Sequence, residues 1–410
     1  MRADARVIVV GAGPAGAATA WWLARAGIDV LVLDRAHFPR PKPCSEYLSP
    51  QASRLLDEMG VLETVERAGA ARLAGMTVRT PSGREIRGVF AGAHRWRAHR
   101  DRGLALQRTV LDPILLGAAR QAGARVEEGV RVHDLLRDAR GRITGVRATL
   151  PGKGDVDLGA SLVVGADGLR SLVARRLGVA RQSRWPRRVA LVTHYRGIAD
   201  VGELGEMHVE HGGYLGIADV GGGISNVAVV VPSSRGRELA GGAEEFVERW
   251  IASRPQLAPR FTRAVRTSPV RATGPFASHS VRAWAPGAAL VGDAADFFDP
   301  FTGEGIYAAL RGGELLAPYL VEALRLGTTR EHEALAAYDR CRRYEFGGKW
   351  IVERLIGAAV AFPALLERAA RVLSKRPEMA DLLVGVTGDF VPAREVLTPR
   401  YLARLLLLPA

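Results

Sequence analysis

Residues 6–10 read as a short strand whose continuous β-branched apolar residues fit burial on both faces. The run leads into Gly11-Ala12-Gly13-Pro14-Ala15-Gly16 and a helix-forming stretch over 17–26, and a second apolar run, 28–33, ends on Asp34. Strand, glycine turn, helix, strand and acid are the phosphate-binding unit of an α/β dinucleotide fold of the GxGxxG type. Gly11 allows the tight turn, Gly13 lets a pyrophosphate meet bare backbone, and Gly16 lets the helix lie close to the strand. Free N–H groups at the helix start then face a doubly negative ligand, and Asp34 is placed to accept from a ribose.

Three prolines in 39–43 forbid a helix and predict a stiff, extended loop. Such a loop carries Cys44 and Ser45 across the face of the ligand, or else is a rigid surface linker with a buried thiol. Helices are expected over 50–59 and 61–68, then two strands, 73–80 and 84–90, about Pro81-Ser82-Gly83. His94, Arg95, Trp96 and His99 lie in an irregular basic stretch read as solvent-facing. The run 104–108 reaches Thr109, a good N-cap for a helix over 110–121. Arg108 at that junction suits a phosphate or ribityl clamp, or equally a surface ion pair. A hairpin pairs 125–136 with 143–150; a buried strand, 162–168, ends in Asp167-Gly168 before a helix over 171–177.

From 189 to 231 alternating runs are separated by glycine clusters, which predicts an antiparallel sheet with one face solvated or ligand-facing. Tyr214 and His208 are candidates to face a pocket there. Helices are expected over 244–253 and 258–265, and 288–295 returns as a final parallel strand. A long helix starts at Ile306, and the chain beyond 328 is helical with breaks at Pro363, Pro377, Pro392 and Pro399. The organisation expected is therefore a discontinuous dinucleotide-binding domain (1–72, 101–180, 280–328), a substrate domain (73–100, 181–279) and a C-terminal helical region (329–410).

Composition changes this picture little. A chain of 410 residues with 48% apolar and 24% charged residues is an ordinary soluble globular protein of two or three domains. The net charge of +14 suggests a nucleic-acid partner, but only four basic residues are Lys (42, 153, 349, 375), and Arg is spread along the chain without a nucleic-acid motif. No nucleic acid is expected; attraction to anionic cofactors, acidic substrates or a membrane surface remains. Cys44 and Cys341 lie far apart and suggest neither a disulfide framework nor a metal site. The opening residues leave no room for a signal peptide, and the apolar stretch 355–366 is too short to span a bilayer, so a cytoplasmic location is expected.

The glycine turn with Asp34, Gly165-Ala166-Asp167-Gly168, and Gly-Asp-Ala-Ala-Asp-Phe-Phe-Asp-Pro-Phe-Thr-Gly-Glu-Gly at 292–305 point at one ligand. Together they resemble the FAD-dependent monooxygenases of the p-hydroxybenzoate hydroxylase fold, and more closely their relatives the geranylgeranyl reductases, over about residues 5–325. The resemblance implies an FAD-binding dinucleotide fold with an antiparallel-sheet substrate domain and C-terminal helices. It implies FAD on Gly11, Gly13, Ala15, Gly16, Asp34, Arg35, Arg108, Val132 (by its backbone, to adenine) and Asp167. It further implies Asp293 on the ribityl chain, and Gly303, Gly305 and Ile306 at the pyrimidine edge, where a helix start favours reduced flavin. Cys44 and Ser45 match the small-residue loop that crosses the flavin in the reductase branch, with Ser in place of the usual Gly. Gly303-Glu304-Gly305-Ile306-Tyr307 departs from the hydroxylase pattern Gly-Gln-Gly-x-Asn, and Trp96 stands without the Trp pair of flavin halogenases. Gly221-Gly222-Gly223 precedes strand residues, so no second dinucleotide unit is expected and NAD(P)H visits the flavin transiently.

The leading expectation is an NAD(P)H-dependent monooxygenase hydroxylating an apolar aromatic or polyketide-type molecule of secondary metabolism. The alternative is a reductase saturating isoprenoid double bonds, with Cys44 as catalytic proton donor; a redox-neutral protein of the FAD fold comes third. Tyr214, Phe297, Phe298 and Pro300 are the candidate substrate contacts, and the phenyl rings of Phe297, Phe298 and Phe301 suggest an apolar ligand, flat or chain-like.

Overall fold

The computed structural model describes residues 4–406 apart from 93, 184 and 186. The Ala5–Val10 strand is buried at every position but Arg6 and lies between two parallel neighbours, Val30–Asp34 and Gly154–Gly165. Arg125–Glu128 extends the sheet beyond Val30–Asp34, and Ala288–Leu290 pairs in parallel with the other side of Gly154–Gly165. The helices Pro14–Arg25 and Gly305–Leu326 pack on each other. Gly154–Gly165 is one long strand with two roles. Its first half pairs antiparallel with Ile143–Leu150, and its second half enters the parallel sheet at Ala160. The polar start of this strand hid its full length, and only the apolar half was legible.

The second sheet runs Val265–Arg266, Arg188–Arg196, Ile224–Pro232, Gly213–Asp219, Leu204–Glu210, Gly75–Arg79, Glu85–Val89. It is antiparallel except where Leu204–Glu210 pairs in parallel with Gly75–Arg79. Neither face is solvated. Leu191, Leu215 and Val229 pack under Phe246, Val247 and Trp250 of the Ala243–Ala252 helix. Ala190, Val192, Val209, Tyr214 and Val230 form the opposite face and pack with Phe276, Phe297, Phe301 and two residues of the C-terminal helices, Val360 and Leu366.

Among the C-terminal helices, Pro363–Leu373, Pro377–Thr387 and Pro399–Leu406 each begin on proline, where the missing N–H costs nothing. Pro377–Thr387 lies on the edge strand Glu85–Val89, and the Asp381 carboxylate accepts the Val89 N–H at 2.8 Å, which protects the edge. Several local expectations fail. The strand expected over 125–136 is two, Arg125–Glu128 in the parallel sheet and Arg131–Arg137 against Ile143–Leu150. His94 and Trp96, expected to face solvent, are half-buried, with Trp96 against the C-terminal helices and His94 against Phe390. Residues 258–265 hold one turn of 3₁₀ helix, Ala258–Phe261, and then a two-residue strand. Thr109 is not an N-cap. The helix is Arg108–Gln121, and the Arg108 N–H is taken by the Glu46 carboxylate at 2.9 Å, so a side chain distant in sequence does the capping.

The two halves are joined by a buried ion pair. Arg188, in the second sheet, donates to Asp299 at 2.6 Å and to the Gly357 carbonyl at 3.0 Å. The Asp299 carboxylate also accepts from the Tyr214 hydroxyl at 2.8 Å and the Phe301 N–H at 3.1 Å. Removing one partner strands a charge in the interior. Arg188→Met should therefore lower the free energy of urea unfolding by about 3–5 kcal/mol, with Arg188→Met/Asp299→Asn less damaging than the single change.

Candidate active site

The glycine turn is built by close approach. Gly11 sits at φ +102°, and a Cβ there would lie 2.4 Å from the Ala166 carbonyl oxygen; one at Gly16 would lie 1.8 Å from the Gly11 oxygen. The turn is thus pressed against the Gly165–Gly168 segment, as the spacing of the motifs demands. Asp34 accepts the Ala12 N–H and the Ala36 N–H, each at 2.8 Å, and each oxygen keeps a lone pair for a ribose hydroxyl. Arg35 beside it is exposed. The backbone N–H of Val130 reaches the Asp34 carbonyl, which brings Val132, two residues on, to the same rim.

At its N-terminus the Pro14–Arg25 helix carries no side-chain cap and no acid in its first turn. Cations gather over it instead. A Cβ at Gly13 would lie 3.5 Å from an Arg40 guanidinium nitrogen and 3.7 Å from one of Arg108. Arg40 pairs with Asp112 at 3.4 Å, and its Nη1 is buried with no hydrogen bond. Lys42 joins them; burial pushes its pKa down, the Arg40 charge pushes the same way, and Asp293 opposes both. Arg108 is held by a bidentate bond to Asp112 at 2.5 and 2.8 Å. A helix start, three cations and an unsatisfied guanidinium nitrogen fit a diphosphate.

Asp293 follows Gly292, where a Cβ would meet the Ala15 side chain at 2.8 Å. Burial raises its pKa against the pull of Lys42 and Arg108, and among the described residues no donor hydrogen-bonds its carboxylate. That leaves it acceptor capacity for the hydroxyls of a ribityl chain. Asp167 is spent differently. It accepts from Ser171 Oγ at 2.5 Å and the Leu172 N–H at 2.6 Å, capping the next helix. Its backbone, against Gly11, is what faces the turn.

The Cys44 loop reaches the third motif. A Cβ at Gly303 (φ +73°) would lie 2.9 Å from the Tyr47 ring and 3.7 Å from Ser45 Oγ. Gly303 ends the short turn Pro300–Thr302; Gly305 and Ile306 open the Gly305–Leu326 helix. Between them Glu304 is buried against Lys349 at 3.0 Å, and Lys349 also pairs with Asp389. Phe297 packs on Phe276 and would touch a Cβ at Gly305 at 3.6 Å, so it stands at the helix start. Phe298 packs on Trp350, under Arg354. Pro300 opens the turn. Tyr214 lies behind Phe301 with its hydroxyl committed to Asp299, and His208 is buried in an ion network with Glu206 and Arg260.

Sequence reasoning missed the hub of this loop, Glu46. It is buried at φ +61°, a left-handed conformation that a side chain of its size adopts rarely. Besides capping Arg108, it accepts from Asn226 Nδ2 at 3.0 Å and lies 2.7 Å from His194 Nε2, while His194 Nδ1 lies 2.9 Å from Ser268 Oγ. Asn226 also donates to the Cys44 carbonyl at 2.9 Å. One signal was available: His194 and Asn226 are opposite each other on neighbouring strands and break an otherwise apolar pattern. The Cys44 Sγ accepts the Glu46 N–H at 3.3 Å. Burial pushes its thiol pKa up and the Arg108 guanidinium opposes, so the thiol stays protonated at neutral pH.

Residues 4–346 match the family described as FAD binding domain, and the chain belongs to that family. It is 29% identical over 406 residues to menaquinone reductase of Mycobacterium tuberculosis, covering 95% of this chain and 92% of that protein. It is 31% identical over 364 residues to digeranylgeranylglycerophospholipid reductase of Methanothrix thermoacetophila, covering 87% and 86%. Among solved structures, the flavin-dependent brominase Bmp2 superposes with a TM-score of 0.81 at 19% identity, covering 96% of each chain. A geranylgeranyl bacteriochlorophyll reductase-like protein from Thermoplasma acidophilum gives 0.79 at 21%, covering 98% and 96%. The structural likenesses show the fold. With the family and the reductase relatives, they make the protein an FAD-dependent oxidoreductase.

Two measurements test the site. Asp293→Ala should weaken FAD binding about tenfold to a hundredfold in reconstitution titrations, the worth of a buried charge-assisted hydrogen bond. Glu46→Gln removes a negative charge that helps hold the Cys44 pKa up. In a Cys341→Ser background, alkylation of Cys44 should therefore begin at lower pH in Glu46→Gln than in the parent, because the thiolate is the reactive form.

Proposed function

We propose that the protein saturates a carbon–carbon double bond in a polyprenyl chain, with Cys44 as proton donor and NAD(P)H as the transient source of electrons. The observation that carries this reading is a thiol kept protonated by burial, in a loop that touches the Gly303 turn. The names of the relatives support it: one acts on menaquinone, another on a digeranylgeranylglycerophospholipid, and both molecules carry polyprenyl chains. Hydroxylation, which sequence alone favours as the commoner chemistry of the fold, has no such residue-level support here.

FAD, when bound, supplies the hydride. Arg40, Lys42 and Arg108 would hold its diphosphate at the helix start, Asp34 the adenosine ribose and Asp293 the ribityl hydroxyls. The helix N-terminus at Gly305 and Ile306 would offer positive dipole to the negative charge that the cofactor carries when reduced. Phe297 lines the apolar approach. Cys44 would break its S–H bond and give the proton to the alkene carbon that does not take the hydride. The thiolate left behind is stabilised by the Arg108 charge and the Glu46 N–H, and solvent returns the proton. Glu46, held by His194 and Asn226, keeps Cys44 in place and acts as a positioning residue.

The test is an anaerobic single turnover in which photoreduced enzyme is mixed with a geranylgeranyl lipid. Flavin reoxidation without oxygen is expected, with Cys44→Ala slowing product formation about 10²–10⁴-fold while FAD stays bound. The donor must be protonated, so the rate should hold through neutral pH and fall only as pH passes the raised thiol pKa. Reoxidation that needs oxygen and ignores Cys44 would establish hydroxylation instead.

A further inference from the structure

The Glu331–Ala361 helix has two unlike faces. Inward, Lys349 pairs with Glu304, Trp350 packs on Phe298, and Gly357 receives Arg188. Outward, Tyr344 is 89% exposed, Ile351 50%, Leu355 47%, and Phe362, at the helix end, 58%. At about 100° per residue these four fall within an arc of about 40°, so they form one straight stripe roughly 27 Å long. Trp185, 54% exposed, packs its ring 5.9 Å from that of Phe362 and widens the stripe at one end. Exposed apolar residues scattered singly need no explanation, but a collinear row of four with an adjoining Trp does.

Charge says what covers it. The exposed charged residues from 340 to 362 are Arg340, Arg343 and Arg354, all cationic, whereas Glu345 and Glu353 are turned away and partly buried. The whole chain carries +14. A second copy of the same face would bring arginine against arginine. No helix of the described residues is long and apolar enough to cross a membrane. An apolar stripe flanked by arginines, with aromatic residues at its ends, suits a helix lying flat at the level of anionic headgroups.

We propose that the outer face of this helix, with Trp185, docks the enzyme on an anionic lipid bilayer, seating Tyr344, Ile351, Leu355 and Phe362 at the headgroup–acyl boundary. The stripe and its charge carry this inference, whichever reaction the site performs. The inner side of the same helix packs on Phe298 and Glu304, so docking would set the loop near Gly303 close to the bilayer.

The FAD-loaded full chain is floated with vesicles of phosphatidylcholine alone or mixed with phosphatidylglycerol. Binding to the mixed vesicles, weakened by salt, is expected. Ile351→Glu/Leu355→Glu should reduce partitioning about tenfold or more, with flavin absorbance and melting temperature unchanged. Should that variant fold poorly, acyl-brominated lipid provides a second readout: quenching of wild-type tryptophan fluorescence that is lost in Trp185→Phe. The proposal fails if the mixed vesicles leave the protein unbound or if neither variant changes its readout. It also fails if Ile351→Glu/Leu355→Glu instead splits a wild-type dimer seen by light scattering, which would make a second copy the occupant.

Discussion

The buried carboxylate of Glu46 is the contact on which the site's arrangement depends. It caps the Arg108–Gln121 helix, receives Asn226 and His194 from the second sheet, and through its own N–H holds the Cys44 sulfur. Three parts of the chain meet on one residue, and that residue pays with a left-handed backbone. A buried carboxylate is tolerable only when its oxygens are satisfied, and here both are. The thiol beside the Gly303 turn is thus placed by the sheet as much as by its own loop.

The cations beside the glycine turn form the opposite case. Arg40, Lys42 and Arg108 lie together beside a helix start that is itself positive, with Asp112, Asp34 and Asp293 opposite them. Burial lowers the pKa of Arg40 and of Lys42, and the neighbouring arginines push the same way against Asp112, Asp34 and Asp293. A diphosphate at this helix start would give the buried cations a further partner, and a ligand that binds only the folded chain stabilises it.

The loop from Asp296 to Gly305 is where the parallel sheet, the antiparallel sheet and the long helix meet. Asp296 pairs with Arg342, Asp299 with Arg188, and Glu304 with Lys349. Each pair ties the loop to a different element or a different turn of the helix, so the segment is braced along its length although it is a loop.

Much of this was legible in the chain itself. The Ala5–Val10 strand, the glycine turn, the Pro14–Arg25 helix and Asp34 follow one another within thirty residues, and their pattern is set by local burial and hydrogen bonding. The proline-started C-terminal helices are local in the same sense. What tertiary structure alone decided involves partners far apart: Glu46 with His194, 148 residues away, with Asn226, 180 away, and Arg188 with Asp299, 111 away. The same distance explains why Thr109 lost its place as N-cap and why the second sheet is packed from both sides. Periodicity records which side of an element is buried. It holds no record of which buried polar group will find which partner, because that pairing exists only once the chain has closed and left each group no water to bond.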